Sequence, residues 1–337
     1  FQSEADRILV DTHYQYSQPR PGRFLRSWSV NASPDGKFNT AGDLVFANVN
    51  SQLSLELLNY WRTSLRVQVD PWADDDQLTH GGPMSRNPGA FDARLNLNSD
   101  GRRPVVVRGT YGWSNDKSGA WGRNVDLGVS GRFRETLQVS IGPSYSRSHA
   151  TAQYVTRVSD PLASGTYGSR YVFANLDRTT VSLDTRVDVT LSPALSLQLY
   201  LEPFISVGDY DSLKELRAPN TYDFLEYGVG ASTLAPNTSG GFDVDPDGSG
   251  AAPSFSLPDR DFSVRSLIGN AVLRWEWRAG STLFLVWQQR RINSVTGQES
   301  GTRPWVGNFD LGRDADDMFD VSPDNILMVK VNYWLNP

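Results

Sequence analysis

At 337 residues and without a single cysteine, the chain is long enough for two ordinary soluble domains, yet no linker or compositional shift divides it, and it reads as one domain. Its 38 acidic against 32 basic residues leave a net charge of −6, which argues against a nucleic-acid partner, and the lack of cysteine fits an extracytoplasmic compartment. No apolar run approaches the ~18 residues a transmembrane helix needs, which excludes helical spans but not alternating strands, whose lipid-facing residues are diluted by polar partners.

The chain opens at Phe1 without methionine or leader, the expectation for a mature or partial polypeptide. Residues 7–16 and 23–33 alternate as strands around Gln18-Pro19-Arg20-Pro21-Gly22, and a third strand is predicted from about Phe38 to Val49 after Ser33-Pro34-Asp35-Gly36. In the fourth, Leu53, Leu55, Leu57, Trp61, Leu65, Val67 and Val69 share odd parity, against Ser54, Glu56, Tyr60, Arg62, Arg66 and Asp70. A polar loop from Pro71 to Gly89 follows, then strands at Ala90–Asn98, Pro104–Ser114, Trp121–Phe133 and Thr136 to about Val155.

The alternation is cleanest from Val181 to Glu202, where Val181, Leu183, Thr185, Val187, Val189 and Leu191 oppose Ser182, Asp184, Arg186, Asp188 and Thr190. After Ser192-Pro193-Ala194 it resumes with Leu195, Leu197, Leu199 and Leu201 against Ser196, Gln198, Tyr200 and Glu202, a hairpin with one apolar and one polar face. Near the end, Phe262–Arg278 and Ser281–Arg291 flank Ala279-Gly280, and Ile326–Leu335 forms a last amphipathic strand. That makes thirteen strands, and since single-chain bacterial barrels have even numbers, about fourteen are expected.

Connections alternate in length with the strand count: tight at Arg134-Glu135 and Ser192–Ala194, long at Pro71–Gly89, Ser159–Tyr167 and Asp209–Asp261. This is the pattern of short periplasmic turns and long extracellular loops. The fold class expected is therefore all-β, a transmembrane antiparallel up-and-down β-barrel over residues 1–337, with 209–261 as one long extracellular loop. The location that goes with it is the outer membrane of a Gram-negative bacterium.

The C-terminal half carries a resemblance. Tyr222-Asp223-Phe224-Leu225, the acidic run Asp243–Gly248, Asn270–Trp287, Leu199–Tyr210, Phe309–Asp314 and Val329–Leu335 together resemble a family of bacterial outer-membrane β-barrel domains with no assigned function. Its members usually follow a domain similar to family-9 carbohydrate-binding modules. The resemblance covers roughly residues 130–337; it implies an outer-membrane barrel and a link to polysaccharide, and supplies no catalytic residues.

Several side-chain sets are candidates for function. Glu56, Arg62, Arg66, Asp126, Arg132, Asp184, Arg186, Asp188, Glu202, Arg274, Glu276, Arg278 and Lys330 fall on the polar parity and are assigned to the lumen, since charges facing lipid are costly. They are read either as a salt-bridge network across the lumen or as a polar conduit. Trp275, Trp277, Trp287, Tyr333 and Trp334 suit an interfacial aromatic belt. Asp243, Asp245 and Asp247, spaced two apart before Gly248, resemble the start of a calcium loop, although Ser254 stands where such a loop ends in Glu.

Tyr210, Tyr222, Phe224, Tyr227 and Phe242 in the long loop are candidates for ligand or partner contact. His13, His80 and His149 show no metal-ligand spacing. His80, in the Asp74–Arg86 loop, is the one residue on which a membrane hydrolase could be built. Asp310–Phe319 is expected as a short helix folding into the barrel mouth. The reading is a non-enzymatic pore, transporter or surface-anchoring module, with the lipid bilayer and polysaccharide or other surface proteins as partners. A structural platform docking through the long loops is the alternative.

Overall fold

The computed structural model describes residues 6–297 and 305–335. In chain order its elements are β1 (Ile8–Asp11), β2 (Tyr14–Gln18), β3 (Leu25–Phe38), β4 (Leu44–Leu57), β5 (Arg62–Asp70), β6 (Ala73–Asp75), β7 (Ser85–Asn87), β8 (Ala90–Asn98), β9 (Val105–Asp116), β10 (Trp121–Arg134), β11 (Leu137–Ser159), β12 (Ser169–Ser192) and β13 (Leu195–Leu216). There follow β14 (Phe224–Glu226), β15 (Thr233–Pro236), β16 (Gly241–Asp245), β17 (Phe255–Pro258), β18 (Phe262–Arg278), β19 (Ser281–Thr296), the helix α1 (Leu311–Asp320) and β20 (Asp324–Asn332).

The chain is all-β apart from α1 and a single 3-10 turn at Ser164–Thr166. One large antiparallel sheet dominates, with thirteen positions in the order β1-β3-β4-β5-β8-β9-β10-β11-β12-β13-β18-β19-β20. β1 and β2 both pair with β3 and share the first position, as one strand broken at Thr12 and His13. Each remaining strand of this order pairs antiparallel with the next one along the chain, β6-β7 and β14 to β17 being excursions between β5 and β8 and between β13 and β18, so the sheet is a meander. Among the described residues β20 pairs only with β19, and β1 and β2 only with β3, which leaves two free edges. With thirteen positions in a meander, those edges run in the same direction.

Long unbroken registers fix two faces. Leu201 of β13 lies opposite Thr185 of β12 and Gly269 of β18, and Leu197 opposite Val189 and Leu273, so the leucines of the hairpin share one face over several strands. Tyr200 lies opposite Arg186 and Asn270 on the other. We call these the leucine face and the charged face. Strict alternation of side chains along a strand makes the assignment transitive from ladder to ladder.

Two turns differ from the sequence reading. β3 runs straight through Pro34-Asp35-Gly36, which pair with Val49, Asn48 and Ala47, and the chain reverses only at 39–43. The segment expected as one long strand from Leu53 is two, β4 and β5, joined by a turn at Leu58–Trp61. There the Tyr60 N–H donates to the Leu57 carbonyl and Tyr60 takes a left-handed φ of 64°. Leu53 faces Leu65 and Leu55 faces Thr63 across the hairpin, so odd residues stay on one face on both sides of the turn. Parity therefore passed through the reversal unchanged, and no Gly or Pro marked it.

At one end of the sheet connections are tight, as at Ala279-Gly280, where Gly280 has φ 79°. At the other end β11, β12 and β13, of 23, 24 and 22 residues, outrun their neighbours: β10 pairs with β11 only as far as His149, and β18 with β13 only as far as Gly208. The extension carries a cap. β14 adds to β13, the three-stranded sheet β15-β16-β17 packs nearby, and β6-β7 forms a hairpin. The loop expected at Asp209–Asp261 is thus largely structured, and β13 itself reaches Leu216. Val172, Ala174, Leu213, Tyr227, Val244 and Leu257 form one buried cluster on the extension, and Tyr171, Phe173 and Leu216 form another from the opposite parity of β12.

Candidate functional site

The charged face is assembled from alternating residues of every long strand. Its ion pairs are local. Arg186 meets Asp188 at 3.2 Å and Arg274 meets Glu276 at 3.0 Å, each within one strand, while Glu56 lies 3.6 Å from Arg26 and 4.0 Å from Arg62 on adjacent strands. The Tyr200 hydroxyl lies 2.6 Å from Glu202 and 3.1 Å from Asp184, tying two carboxylates of neighbouring strands. Asp126 accepts from Asn124 Nδ2 at 2.8 Å and from the Ser144 hydroxyl at 2.6 Å. Arg278 reaches the Tyr333 hydroxyl at 3.4 Å, and the Lys330 ammonium sits 5.9 Å from the Phe284 ring centre.

Among the described residues no ion pair joins strands distant in the sheet, so the network expected to span the lumen is instead a set of neighbour contacts. Arg66 donates through Nε to Asn50 at 2.7 Å and has no carboxylate partner. Arg132 lies on the same face, opposite Gln138.

The cap uses the loop aromatics for its own packing. Tyr227 is buried, stacks edge-on to Phe255 and donates to Glu215 Oε2 at 3.1 Å; burial pushes its phenol well up from the ordinary value. Phe224 packs edge-on to Phe173 at 5.3 Å and Tyr222 edge-on to Phe224 at 5.0 Å, with the Tyr222 hydroxyl 3.0 Å from that of Thr151. Phe242 and Tyr210 pack against the first buried cluster. These five were expected to meet a ligand; a sequence shows that an aromatic lies in a loop but not that the loop has a core of its own.

Asp243, Asp245 and Asp247 do not converge. Asp243 accepts from Ser256 Oγ (2.6 Å) and Asn237 Nδ2 (3.1 Å), which hold its carboxyl below the usual range and pin β16 to β17. Asp245 accepts from the Gly248 N–H and Asp247 from the Ala252 N–H, so both carboxylates close turns. Among the described residues no group of three or more acidic or histidine side chains is arranged to hold a metal.

The histidines are separate as well. His13 meets Ser33 Oγ at 2.8 Å, His149 meets Asp177 at 3.1 Å, and His80 stacks on Tyr154 with ring centres 4.1 Å apart. Among the described residues no carboxylate hydrogen-bonds to His80. Where β13 and β18 enter the cap, burial pushes the Asp261 carboxyl up to about 7, with Asp259, Asp209 and Asp211 adding repulsion and the Tyr210 N–H, at 2.6 Å, opposing the shift.

Sequence reasoning missed one constellation. α1, capped by Asp310 accepting from the Arg313 N–H, does not fold toward the charged face. Its Met318 packs with Ile205, Val207 and Leu267, all on the parity of Leu197 and Leu201, so the helix lies against the leucine face. Beneath it Arg265 and Asp314, each with 0% of its side chain exposed, form an ion pair through both Nε (3.0 Å) and Nη2. Trp305 stacks over Arg265 at 4.7 Å and over Arg313 at 4.9 Å. The signal was present: Arg265 is the one arginine that falls among apolar residues on the leucine parity of β18, and a charge there demands a partner.

Among solved structures, the chain is similar to the crystal structure of the siderophore receptor PirA from Acinetobacter baumannii, with 8% identity over 98% of this chain and 71% of that one and a TM-score of 0.33. No curated protein matches it. Residues 1–336 match the family described as a domain of unknown function, DUF5916. The chain belongs to the DUF5916 family.

Proposed function

We propose that the chain is an outer-membrane β-barrel of a Gram-negative bacterium, with its leucine face against the bilayer, its charged face around a lumen and its cap outside the cell, acting as a non-enzymatic pore or transporter. The observation that carries this reading is the outward leucine face. Leu95 (47%), Leu127 (52%) and Val129 (46%) are exposed on it in ladders with no buried core beneath. From Leu195 to Ile205 is ten steps along β13; at ~3.3 Å per step and a tilt of ~40° that is a band ~25 Å tall, the height of the apolar belt of such barrels. Trp275, Trp277 and Tyr333 lie exposed at the tight-turn end, where interfacial aromatics belong, whereas Trp287, expected in the same belt, pairs with Ala271 in the row of Leu199 and so sits mid-band.

Closure is part of the proposal. Two free edges running the same way can meet directly only as a parallel seam; one further strand, antiparallel to both, gives the even number of fourteen that bacterial barrels favour. Cysteine pairs scanned between Tyr14, Tyr16 or Gln18 and Leu327, Val329 or Val331 separate the two, because a disulfide needs Cα atoms within ~7 Å and an intervening strand sets the edges ~10 Å apart. With fourteen strands no pair forms a disulfide, while a bifunctional maleimide of that span links them.

Recording from the purified protein in planar bilayers tests the pore. Steady conductance is expected, and a folded, bilayer-inserted protein that never conducts would leave the second reading, a platform. That reading is favoured by the cap, whose buried clusters make it a small domain in its own right, suited to docking other surface proteins or polysaccharide.

A further inference from the structure

One region of the charged face carries more positive charge than its carboxylates offset. Arg66 of β5 stands directly opposite Arg94 of β8 in the ladder. Like charges in register across two strands repel, and a sheet normally avoids the pairing. Among the described residues neither arginine lies within ion-pair distance of a carboxylate, although Asp92, two residues before Arg94 on the same face, attracts it from further off; Arg66 is held by Asn50 through Nε. The same ladder row continues through Gly112, Asn124 and Ser146.

The row above it runs from Asp92 through Ser114, Gly122 and Ser148 to Arg178 on β12. Small side chains thus form a floor between an arginine pair at one end and a third unpaired arginine at the other. They line a cavity of about 470 Å³, within the size range of small-molecule sites. At Gly112 a Cβ would lie 1.9 Å from Asn124 Oδ1, so a larger residue there would displace that amide from its present position.

Carboxylates are fewer here. Asp92 lines the cavity, and Asp126, two residues beyond Asn124 on β10, is already engaged by Asn124 and Ser144. Three guanidiniums facing one open carboxylate, with two of them in register, form a site for a ligand that brings several negative charges. Guanidinium forks match carboxylate and phosphate geometry and bind both through paired N–H donors.

We propose that this basin binds a small organic or inorganic anion carrying at least two carboxylate or phosphate groups, bridging Arg66 and Arg94 and reaching Arg178. This rests on the charged face being the lumen of a pore, for which the basin then sets the substrate class.

The test is calorimetric titration of the whole detergent-solubilised protein with citrate, with pyrophosphate, and with a neutral disaccharide as control. Citrate or pyrophosphate binding that weakens at least ~10-fold in the Arg66→Gln/Arg94→Gln double variant is expected, because two charge-assisted contacts are removed. Arg178→Gln, across the basin, is expected to weaken it ~3-fold or more. Both sites are exposed on the charged face, and unchanged thermal unfolding serves as the folding control. No binding of either anion at millimolar concentration, or binding unchanged in the double variant, would overturn the site. Binding needs no conductance, so a protein that binds citrate but carries no current would refute the pore and keep the basin; one that conducts but binds neither anion would do the reverse.

Discussion

The strand band and the cap follow opposite rules for burying apolar side chains. In the cap, Val172, Phe173, Val244 and Leu257 are almost wholly enclosed, and the polar loops close over them as in any water-soluble domain. In the band, Leu53, Leu65, Leu127, Ile141, Leu199 and Leu285 stand exposed on one side of a single sheet whose other side is charged. A band of that size left in water would be an aggregation surface. Under the proposed reading the difference is that between two solvents, with α1 at the border: it covers the top of the leucine face, where a buried ion pair takes over from leucine.

That contrast can be broken from either side. The largest effects are expected in the cap and at its border. Phe173→Ala removes a fully buried ring that meets Tyr154 and Phe224, and should cost ~3–5 kcal/mol of cap stability; pulse proteolysis should show the cap cleaved while the band stays protected. Asp314→Ala leaves Arg265 buried with its strongest partner gone, a loss of ~3–5 kcal/mol. Proteolysis within 305–320 should report the helix detaching.

In the band the sign of the chemistry reverses. Leu199→Arg should destabilise by ~2–4 kcal/mol in bilayers, where it faces hydrocarbon, and Gln198→Arg, on the charged face, should not; urea unfolding in lipid vesicles compares them. A smaller effect is expected from pH at the border. The Asp261 carboxyl lies near 7 when folded, above its ordinary 3.8. The folded state therefore holds a proton that the open state gives up, so this contribution is fully present below about pH 4 and is lost as pH rises toward 7. Hydrogen exchange at the amides of Tyr210 and Gly297, corrected for intrinsic rates, should be faster at pH 7.5 than at pH 5. Smallest, Asp310→Ala should cost ~1 kcal/mol of helix stability through the lost N-cap, read as fraying of α1 by the same exchange method.

The band was the more legible part of the sequence. Period-two alternation at Val181–Leu201 is imposed by the pleat and does not depend on what lies across the sheet, so the two faces and most hairpins could be read directly; the count of thirteen agrees because the strand expected at Phe38–Val49 and the first half of the one expected from Leu53 are together β4. Boundaries slipped where a turn preserved parity, as at Tyr60, or where a proline was tolerated in a strand, as at Pro34. The cap was not legible, because its contacts join segments far apart in the chain: Leu78 meets the Tyr171 cluster, and Arg265 meets Asp314. Loop aromatics such as Tyr227 therefore looked available when they are core. The anion basin escaped notice for a related reason: Arg66 and Arg94 become a pair only once the ladder brings β5 and β8 into register.

The most direct measurement of the central claim is depth-dependent quenching by brominated lipids in reconstituted vesicles, using single cysteines in a chain that has none of its own. Fluorophores at Leu199, Val129 and Leu285 should be quenched by bromines on the acyl chains, and fluorophores at Gln198, Ser130 and Ser140 should not. Equal quenching of both sets, or of neither, would contradict a leucine face that meets lipid.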